Sequence, residues 1–201
     1  MEVLRIGFLA SHGGSNMQAI IGACKTGELD AKPTIVISNN SKSGAIEGAQ
    51  QEGIPYCHMS SVIYSDPKIL DETMLEILES YKVNLIVLAG YMKKIGTKTL
   101  SRYKGRILNI HPSLLPKYGG IGMYGDRVHE AVIRANDNTT GVTIHLVDEN
   151  YDTGCIIAQT EVPVLKEDSV ETLGKRVLQR EHEFFVETLI KIRSGELKLY
   201  S

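Results

Sequence analysis

Continuous apolar runs between helical patterns are the feature that most limits how this chain can fold. The run Asn84-Leu-Ile-Val-Leu-Ala-Gly90 has no alternation of polar and apolar residues, which is typical of a strand buried on both faces of a sheet. Strand-like runs alternate with helical patterns, at about 3–10, 33–38 and 54–58 for strands and about 15–26, 44–53, 67–81 and 96–103 for helices. We therefore expect a parallel sheet with helices on both of its faces.

The second half of the chain has a different rhythm. Residues 112–125 are rich in Pro, Gly and Tyr and indicate an ordered loop. The pattern then indicates one helix and two strands, at about 126–136, 140–147 and 155–164. A short turn joins these two strands, which are expected to pair as an antiparallel ribbon. A final amphipathic helix follows, with Asp168 or Ser169 as its cap and Glu171 placed to complete a capping box.

The predicted fold class is α/β, with a mostly parallel, Rossmann-like sheet, helices on both faces and a C-terminal antiparallel strand pair. At 201 residues and 42% hydrophobic content, the chain suits one domain that spans residues 1–201. Its two halves, about 1–103 and 104–201, are expected to share the sheet and to meet at a cleft.

The overall charge and the cysteines disfavour several classes of function. A formal charge of −2, from 22 basic and 24 acidic residues, gives no electrostatic reason to expect nucleic acid or an anionic membrane. A small-molecule ligand is favoured, and either a monomer or a homodimer is compatible with these numbers. Cys24, Cys57 and Cys155 show no CxxC spacing, which favours buried free thiols in a reducing compartment. With no basic N-terminal segment and no long apolar span, we expect a soluble, cytoplasmic protein.

Asn109 and His111 are the first candidate functional residues. They end an apolar strand at Pro112 and, two positions apart, point to the same side of that strand. An amide that donates hydrogen bonds and an imidazole that titrates near neutrality are suited to hold a developing oxyanion. The pair alone is equally compatible with a structural histidine bonded to the backbone.

A glycine loop, Ala-Ser-His-Gly-Gly-Ser-Asn at residues 10–16, lies between the first strand and the first helix. Backbone N–H groups at a helix N-terminus suit a phosphate, and Gly14, Ser15 and Asn16 supply such groups for a sugar phosphate. The loop lacks both GxGxxG and the lysine of GxxxxGK[ST], so neither a dinucleotide nor a nucleoside triphosphate is indicated. The structural alternative is a tight turn with Ser15 or Asn16 as the helix cap.

An acidic turn lies between the last two predicted strands. Residues 141–154 bring His145, Asp148 and Asp152 to one strand end. A carboxylate there can orient an imidazole and keep it protonated, and Asp152, followed by Thr-Gly, is best placed to do so. The alternative is an aspartate that bonds its own backbone in the turn. Together with His111, these residues are also compatible with a zinc, manganese or iron site for hydrolysis.

Together these segments resemble the glycinamide ribonucleotide formyltransferases, folate-dependent enzymes of purine synthesis. The matching segments run through nearly the whole chain in the family's order: Gly14-Ser-Asn-Met-Gln-Ala-Ile20, Val87-Leu-Ala-Gly-Tyr-Met92, Asn109-Ile-His-Pro-Ser-Leu-Leu-Pro-Lys117, His145 with Asp152-Thr-Gly154, and Gln179-Arg-Glu-His182. The wider formyltransferase superfamily shares the Asn-x-His-Pro-Ser-Leu-Leu-Pro stretch. The Gly-Ser-Asn loop and the compact length point to the ribonucleotide enzymes.

The resemblance implies a reaction and a catalytic trio. The formyl group of 10-formyltetrahydrofolate, a cosubstrate, would pass to the amine of glycinamide ribonucleotide without a metal. Formylglycinamide ribonucleotide and tetrahydrofolate would be the products. Asn109 and a protonated His111 would stabilise the oxyanion of the tetrahedral intermediate. Asp152 would keep His111 charged and help to move a proton from the amine to the folate nitrogen.

The resemblance also implies two binding regions. The ribonucleotide phosphate would be held in the first half of the chain, by Gly14, Ser15 and Asn16. Glu181, from the second half, would contact the ribose or amide end. The second half would carry the catalytic residues and much of the folate site. The folate would contact seven residues from two segments: Leu88, Met92, Lys93, Lys94, Ile95, Asp148 and Tyr151.

The chain departs from the family's pattern in three places. Lys93 and Lys94 stand where well-known members have an arginine and an apolar residue. The loop at 119–129 replaces a shorter loop, and Cys155 stands where proline is common. The first two departures affect the edges of the implied site, and the third changes the start of a strand.

Other functions remain open on the sequence alone. A methionyl-tRNA formyltransferase would need an extra C-terminal domain and a basic surface, and a formyltetrahydrofolate hydrolase an N-terminal regulatory domain, none of which the sequence indicates. A sugar-nucleotide formyltransferase would differ only in the amine that it accepts. A metal-dependent hydrolase and a non-catalytic folate-binding or nucleotide-sensing module belong to other classes. The intact trio argues against the last of these.

Overall fold

Seven strands and six helices alternate along residues 3–199, the part of the chain that the computed structural model describes. The strands are β1 (Leu4–Ala10), β2 (Ala31–Ser38), β3 (Tyr56–His58), β4 (Leu85–Leu88), β5 (Ile107–His111), β6 (Thr139–Leu146) and β7 (Ile156–Pro163). The helices are α1 (Ser15–Thr26), α2 (Gly44–Gln51), α3 (Pro67–Ser80), α4 (Thr97–Arg102), α5 (Asp126–Arg134) and α6 (Val170–Ser194).

The strands form one sheet in the order β3-β2-β1-β4-β5-β6-β7. The first five strands along the chain are parallel, whereas β6 runs antiparallel to both β5 and β7. The predicted α/β fold with a C-terminal antiparallel pair is therefore confirmed. The order reverses between β1 and β4, and in such sheets ligands bind beyond the carboxyl ends of the strands at this switch point.

The core consists of two apolar layers, one on each face of the sheet. Successive side chains of β1 enter different layers, because the side-chain period of a strand is two. Phe8 packs with residues of α1 and α6, whereas Leu9 packs with Met74 and Leu78 of α3. Ile107 of β5 belongs to the second layer, so β5 presents every second residue from Ile107 onward to that same face.

Most predicted elements are found, with ends that shift by a few residues. At the last helix a capping box is present, but one of its two predicted residues is wrong. Ser169 is the N-cap of α6 and exchanges hydrogen bonds with Thr172, not with Glu171. The helix begins at Val170, so Glu171 occupies the second helical position and pairs instead with Lys175 one turn later.

The three cysteines are free, as expected, but they are not all buried. Cys24 and Cys57 are half-buried, and burial raises the pKa of each thiol to about 11. Cys155 is exposed beside the turn between β6 and β7, where the expectation of a buried thiol is wrong. Within residues 3–199, no helix is long and apolar enough to cross a membrane.

Replacement of Phe185 tests how strongly α6 is anchored to the sheet. Phe185 is fully buried in the first apolar layer, so Phe185→Ala should lower the free energy of unfolding by about 3–5 kcal/mol. Leu178, on the same helix but 39% exposed, provides the control, and Leu178→Ala should cost less than about 1 kcal/mol. Urea denaturation measures both values. Equal losses in the two variants would contradict this assignment of the buried face.

Candidate active site

Asn109, His111 and Asp152 come together at the carboxyl edge of the sheet. β5 presents Asn109 and His111 on one face, and antiparallel pairing sets His145 of β6 opposite Asn109. The turn after β6 then brings the Asp152 carboxylate between two imidazoles. Its Oδ2 lies 3.6 Å from Nδ1 of His111, and its Oδ1 lies 3.5 Å from Nε2 of His145. The three residues predicted as a catalytic trio therefore form one cluster, with His145 as a fourth member.

His145 lies at the centre of this cluster and orients the Asn109 amide. Its Nδ1 lies 2.9 Å from the Leu146 carbonyl oxygen, which can only accept, so Nδ1 carries a proton. Nε2 accepts a hydrogen bond of 3.1 Å from Nδ2 of Asn109, because an amide nitrogen can only donate. This bond uses one proton of the Asn109 amide and directs the amide group. The second proton is left for a ligand.

The His111 ring is buried, and both of its nitrogens face oxygen acceptors. Nε2 donates to the Tyr118 carbonyl at 2.7 Å, and Nδ1 faces Asp152. Burial lowers the pKa of His111 below its usual 6.5, although Asp152 and the Tyr118 carbonyl act in the opposite direction. Burial thus acts against the charged form of His111, whereas both ring nitrogens face oxygen acceptors that favour it, and the role of Asp152 in keeping His111 protonated stays a prediction for the substrate-bound site.

The loop after β5 holds both catalytic candidates through its main chain. The Tyr118 carbonyl accepts from His111, and the N–H of Gly120 donates to Oδ2 of Asp152 at 2.9 Å. Burial alone would raise the pKa of Asp152, but the adjacent His145 ring, the Gly120 N–H and the His111 ring together lower it below the usual range. Asp152 is thus held as a carboxylate, on a left-handed backbone with φ of 58° that aspartate tolerates.

The glycine loop meets α1 at Gly14, the N-cap residue, which has a left-handed backbone with φ of 66°. A Cβ atom at Gly14 would lie 2.9 Å from Cβ of Ala45, so both the backbone and the packing require glycine. In the part of the chain that the structure describes, no side chain caps this helix. The alternative in which Ser15 or Asn16 is the cap is therefore wrong, and the first N–H groups of α1 suit an anion.

Asn16 connects the glycine loop to α6. Asn16 and Glu181 are each only 7% exposed, and Nδ2 of Asn16 donates to Oε2 of Glu181 at 3.2 Å. Oδ1 of Asn16 is buried and has no hydrogen-bond partner among the described residues. Such an acceptor lowers stability until a ligand supplies a donor. Two of the residues predicted to bind the ribonucleotide therefore meet in a buried polar recess.

A cavity of about 80 Å³ lies on the side of Asn109, His145 and Asp152 that faces the loop after β4. Six of the seven residues predicted to contact folate line this cavity: Leu88, Lys93, Lys94, Ile95, Asp148 and Tyr151. Met92, the seventh, is not one of the lining residues. Its side chain is 40% exposed, and its backbone N–H donates to Oγ of Ser11.

Lys94 links the two loops that border this cavity. Its Nζ donates to the Glu149 carbonyl at 3.3 Å and lies 5.5 Å from the centre of the Tyr151 ring. Pockets that hold drug-sized ligands usually have volumes of about 300–1,000 Å³, so these loops must separate to admit such a ligand. The departure from the family's pattern at Lys94 thus falls on a contact between the two loops.

Two other observations concern alternative sites. A cavity of about 300 Å³ near the start of β6 is lined by none of the residues predicted to bind or to catalyse; its lining is Leu114, Lys117, Tyr118, Asp137, Asn138, Thr139 and Thr140. Among residues 3–199, no group of three or more His, Cys, Asp or Glu side chains is arranged to hold a metal ion. The contacts within the cluster around Asp152 are hydrogen bonds and charge interactions.

Several contacts of the site are absent from the sequence-based prediction. The positions of the Tyr118 carbonyl and the Gly120 N–H follow from the conformation of an irregular loop, for which the sequence offers no periodic signal. The central place of His145 was within reach of sequence reasoning. An antiparallel register between β5 and β6 would have set it opposite Asn109, but the register itself was not predicted.

The burial of Glu181 makes a specific prediction for stability. Burial raises the pKa of Glu181 to about 7 from an ordinary value of 4.5, against the smaller effect of the Asn16 hydrogen bond. Between these two values the unfolded chain ionises while the folded chain retains the proton, so stability falls as the pH rises. Relative to Glu181→Gln, the wild-type free energy of unfolding should fall by on the order of 1–3 kcal/mol between about pH 4.5 and about pH 7.

Urea denaturation of both proteins at several pH values measures this difference. Because the other titrating groups are common to the two proteins, the subtraction isolates residue 181. A difference that does not change with pH would show that Glu181 is ionised in the folded protein.

Known proteins with similar sequences show the family of this chain. Residues 4–189 match the family described as formyl transferase. A phosphoribosylglycinamide formyltransferase of Haemophilus influenzae is 39% identical over 195 residues, which cover 97% of this chain and 90% of that protein. A chloroplastic phosphoribosylglycinamide formyltransferase of Vigna unguiculata is 41% identical over 92% of this chain, which spans 59% of the length of that relative.

A solved structure agrees with these sequence relationships. The crystal structure of phosphoribosylglycinamide formyltransferase from Bacillus halodurans superposes with a TM-score of 0.88 and 38% identity, covering 98% of each chain. The family match extends over most of the chain, and the superposition includes the sheet, the glycine loop and the strand that ends at His111. The chain therefore belongs to the formyl transferase family.

Proposed function

We propose that this protein transfers the formyl group of 10-formyltetrahydrofolate to the amine of glycinamide ribonucleotide, a step of purine biosynthesis. The observation that carries the proposal is the cluster of Asn109, His111, His145 and Asp152 between two different recesses. One recess is polar and lies beside an uncapped helix N-terminus, at Asn16. The other combines apolar side chains, such as Leu88 and Ile95, with the polar and charged residues of the 148–152 turn. The relatives named for this activity are 39% and 41% identical to this chain.

The polar recess is proposed to hold the ribonucleotide. Its phosphate accepts hydrogen bonds from the N–H groups of Gly14, Ser15 and Asn16, where the helix dipole of α1 favours an anion. A ribose hydroxyl donates to Oδ1 of Asn16 or to Glu181. This hydroxyl is the donor that the buried, unpartnered Oδ1 of Asn16 lacks. These contacts leave the glycinamide end directed toward the cluster.

The second recess is proposed to hold the formyl donor. Leu88 and Ile95 are buried and supply apolar surface for a pterin ring. Backbone groups of the 148–152 turn supply hydrogen bonds, and Lys93 is an exposed cation beside the mouth. The Lys94 contact with the opposite loop opens to admit the ring, because the cavity of about 80 Å³ is too small for it.

The chemistry requires one new carbon–nitrogen bond and one transferred proton. The amine attacks the formyl carbon, and the formyl oxygen becomes an oxyanion that accepts hydrogen bonds from Asn109 and His111. The negative charge raises the pKa of His111, so that a proton from solvent on the ring stabilises the oxyanion and returns to solvent when the oxyanion collapses. Asp152 accepts the proton that the attacking amine loses and passes it to the folate nitrogen, as the bond between that nitrogen and the formyl carbon breaks.

His111 must exchange one hydrogen bond during this reaction. Its Nε2 donates to the Tyr118 carbonyl in the free protein, so the formyl oxygen competes with that carbonyl for the same N–H.

The half-buried Cys24 and Cys57, with thiols that burial keeps protonated, also support the proposal of a reducing compartment such as the cytoplasm. The continuous sheet supports one catalytic domain built from both halves of the chain.

Direct assay of the two substrates tests both the reaction and its residues. Purified protein is mixed with glycinamide ribonucleotide and 10-formyl-5,8-dideazafolate, and absorbance follows the deformylated product. We expect turnover without added metal, and a fall of at least about a hundredfold in His111→Ala or Asp152→Asn. Asp30→Asn, an exposed change at the far end of α1 and β2, is the matched control for Asp152→Asn and should keep full activity.

Turnover of either variant at the wild-type rate would contradict the mechanism. Activity that chelation abolishes and one metal restores would instead support a metal-dependent hydrolase. Turnover of the formyl donor with a sugar-nucleotide amine, and none with glycinamide ribonucleotide, would reassign the acceptor.

Replacement of Asn16 tests the assignment of the two recesses. Asn16→Ala removes the unpartnered oxygen and the bond to Glu181, so ribonucleotide affinity should fall by about tenfold or more. Affinity for the folate analogue 10-formyl-5,8-dideazafolate should stay within about twofold of wild type. Calorimetry measures both ligands, and Lys25→Ala at the other end of α1 should leave both affinities unchanged. Equal losses for the two ligands would mean that the glycine loop has only a structural role.

A further inference from the structure

Ser11 is a buried polar residue that the proposed chemistry does not use. It follows β1 directly, is only 2% exposed, and is the second residue of the glycine loop. It lies between the carboxyl ends of β1 and β4, where the strand order reverses. A fully buried hydroxyl at the switch point of an α/β sheet is next to the place where ligands bind.

The hydroxyl of Ser11 joins segments that follow three different strands. Oγ accepts a hydrogen bond of 2.7 Å from the backbone N–H of Met92, after β4. Because that N–H can only donate, the one proton of the hydroxyl goes to Oδ1 of Asn39, after β2, at 2.5 Å. The backbone N–H of Ser11 also donates to the Gly90 carbonyl at 3.1 Å. All of these bonds therefore have a defined direction.

These bonds connect the two proposed binding regions. The peptide from Ser11 to His12 opens the glycine loop, and the His12 carbonyl accepts from Ala45 of α2 at 3.1 Å. On the other side, Met92 immediately precedes Lys93, which lines the cavity proposed for the formyl donor. One side chain thus ties the start of the phosphate loop to the backbone beside the folate cavity.

We propose that Ser11 is a positioning residue, which holds the segment from Gly90 to Lys93 in register with the glycine loop so that the two substrates meet at the catalytic cluster. The inference rests on the proposed function. Reaction between two bound substrates depends strongly on their relative placement, and small displacements reduce the rate. Ser11 touches neither substrate, and it acts through the Met92 backbone.

The role requires a hydroxyl. Ser11→Ala leaves the Met92 N–H and Oδ1 of Asn39 without this partner, so the loop after β4 loses its side-chain anchor while the backbone bond to Gly90 remains. Ser11→Thr keeps the hydroxyl and both bonds. Ser43 supplies a matched control, because it is also 2% exposed and also bridges two partners, Ser38 and Ile46, away from the loop after β4.

The experiment measures binding and kinetics in wild type, Ser11→Ala, Ser11→Thr and Ser43→Ala, after thermal unfolding shows that each variant folds. The folate probe is again the analogue 10-formyl-5,8-dideazafolate. In Ser11→Ala we expect both Kd and KM to rise for this analogue by about fivefold to tenfold, as loss of one hydrogen bond does. The affinity for glycinamide ribonucleotide should stay within about twofold. Ser11→Thr should restore the folate values, and Ser43→Ala should leave them unchanged even where it lowers the melting temperature.

Three results would overturn the inference. Folate binding by Ser11→Ala within about twofold of wild type would show that Met92 needs no anchor. Equal weakening of both ligands, matched by Ser43→Ala, would show a general structural effect. Absence of folate binding in the wild-type protein would overturn the proposed function, and this inference with it. Normal folate binding by both the wild-type protein and Ser11→Ala would reject only the role of Ser11.

Discussion

The antiparallel pairing of β5 with β6 is the constraint on which the candidate site depends. Four parallel pairings bring the first five strands to a common carboxyl edge, and β6 then reverses direction and runs back along β5. This reversal sets His145 directly beside Asn109, and it returns the chain in a turn that carries Asp152 over both imidazoles.

The same edge separates two chemical environments. The glycine loop and α6 meet on the face where Phe8 is buried, and there the polar recess of Asn16 and Glu181 forms. The loop after β4 lies with the layer that contains Leu88 and Ile95, and there the second cavity forms. A formyl donor and an acceptor amine that are bound on opposite faces of the sheet can approach each other only across the strand ends. Asn109 and His111 stand at that crossing.

The sequence predicted the elements and the chemistry better than the contacts. Apolar periodicity located the strands, and the Asn109 and His111 spacing followed from the two-residue period of a strand, because both depend on local chain geometry. The register of β6 and the main chain at Tyr118 depend on tertiary packing, which no local pattern encodes. The pKa of His111 depends on tertiary packing for a similar reason: the carboxylate is visible in the sequence, but the depth of burial is not. Met92, which was expected to contact folate, is 40% exposed and does not line the cavity, and its backbone N–H donates to Ser11.

The main-chain bonds from the loop at Tyr118 and Gly120 have a consequence for how such enzymes diverge. The carbonyl of Tyr118 and the N–H of Gly120 reach His111 and Asp152 without any side chain of their own. A change of length or composition in the following residues, up to 129, is therefore expected to alter the pKa and the orientation of the proposed catalytic groups while all of those groups stay the same. Two relatives with identical active-site residues can thus differ in rate, and a comparison of side chains alone would miss the origin of the difference.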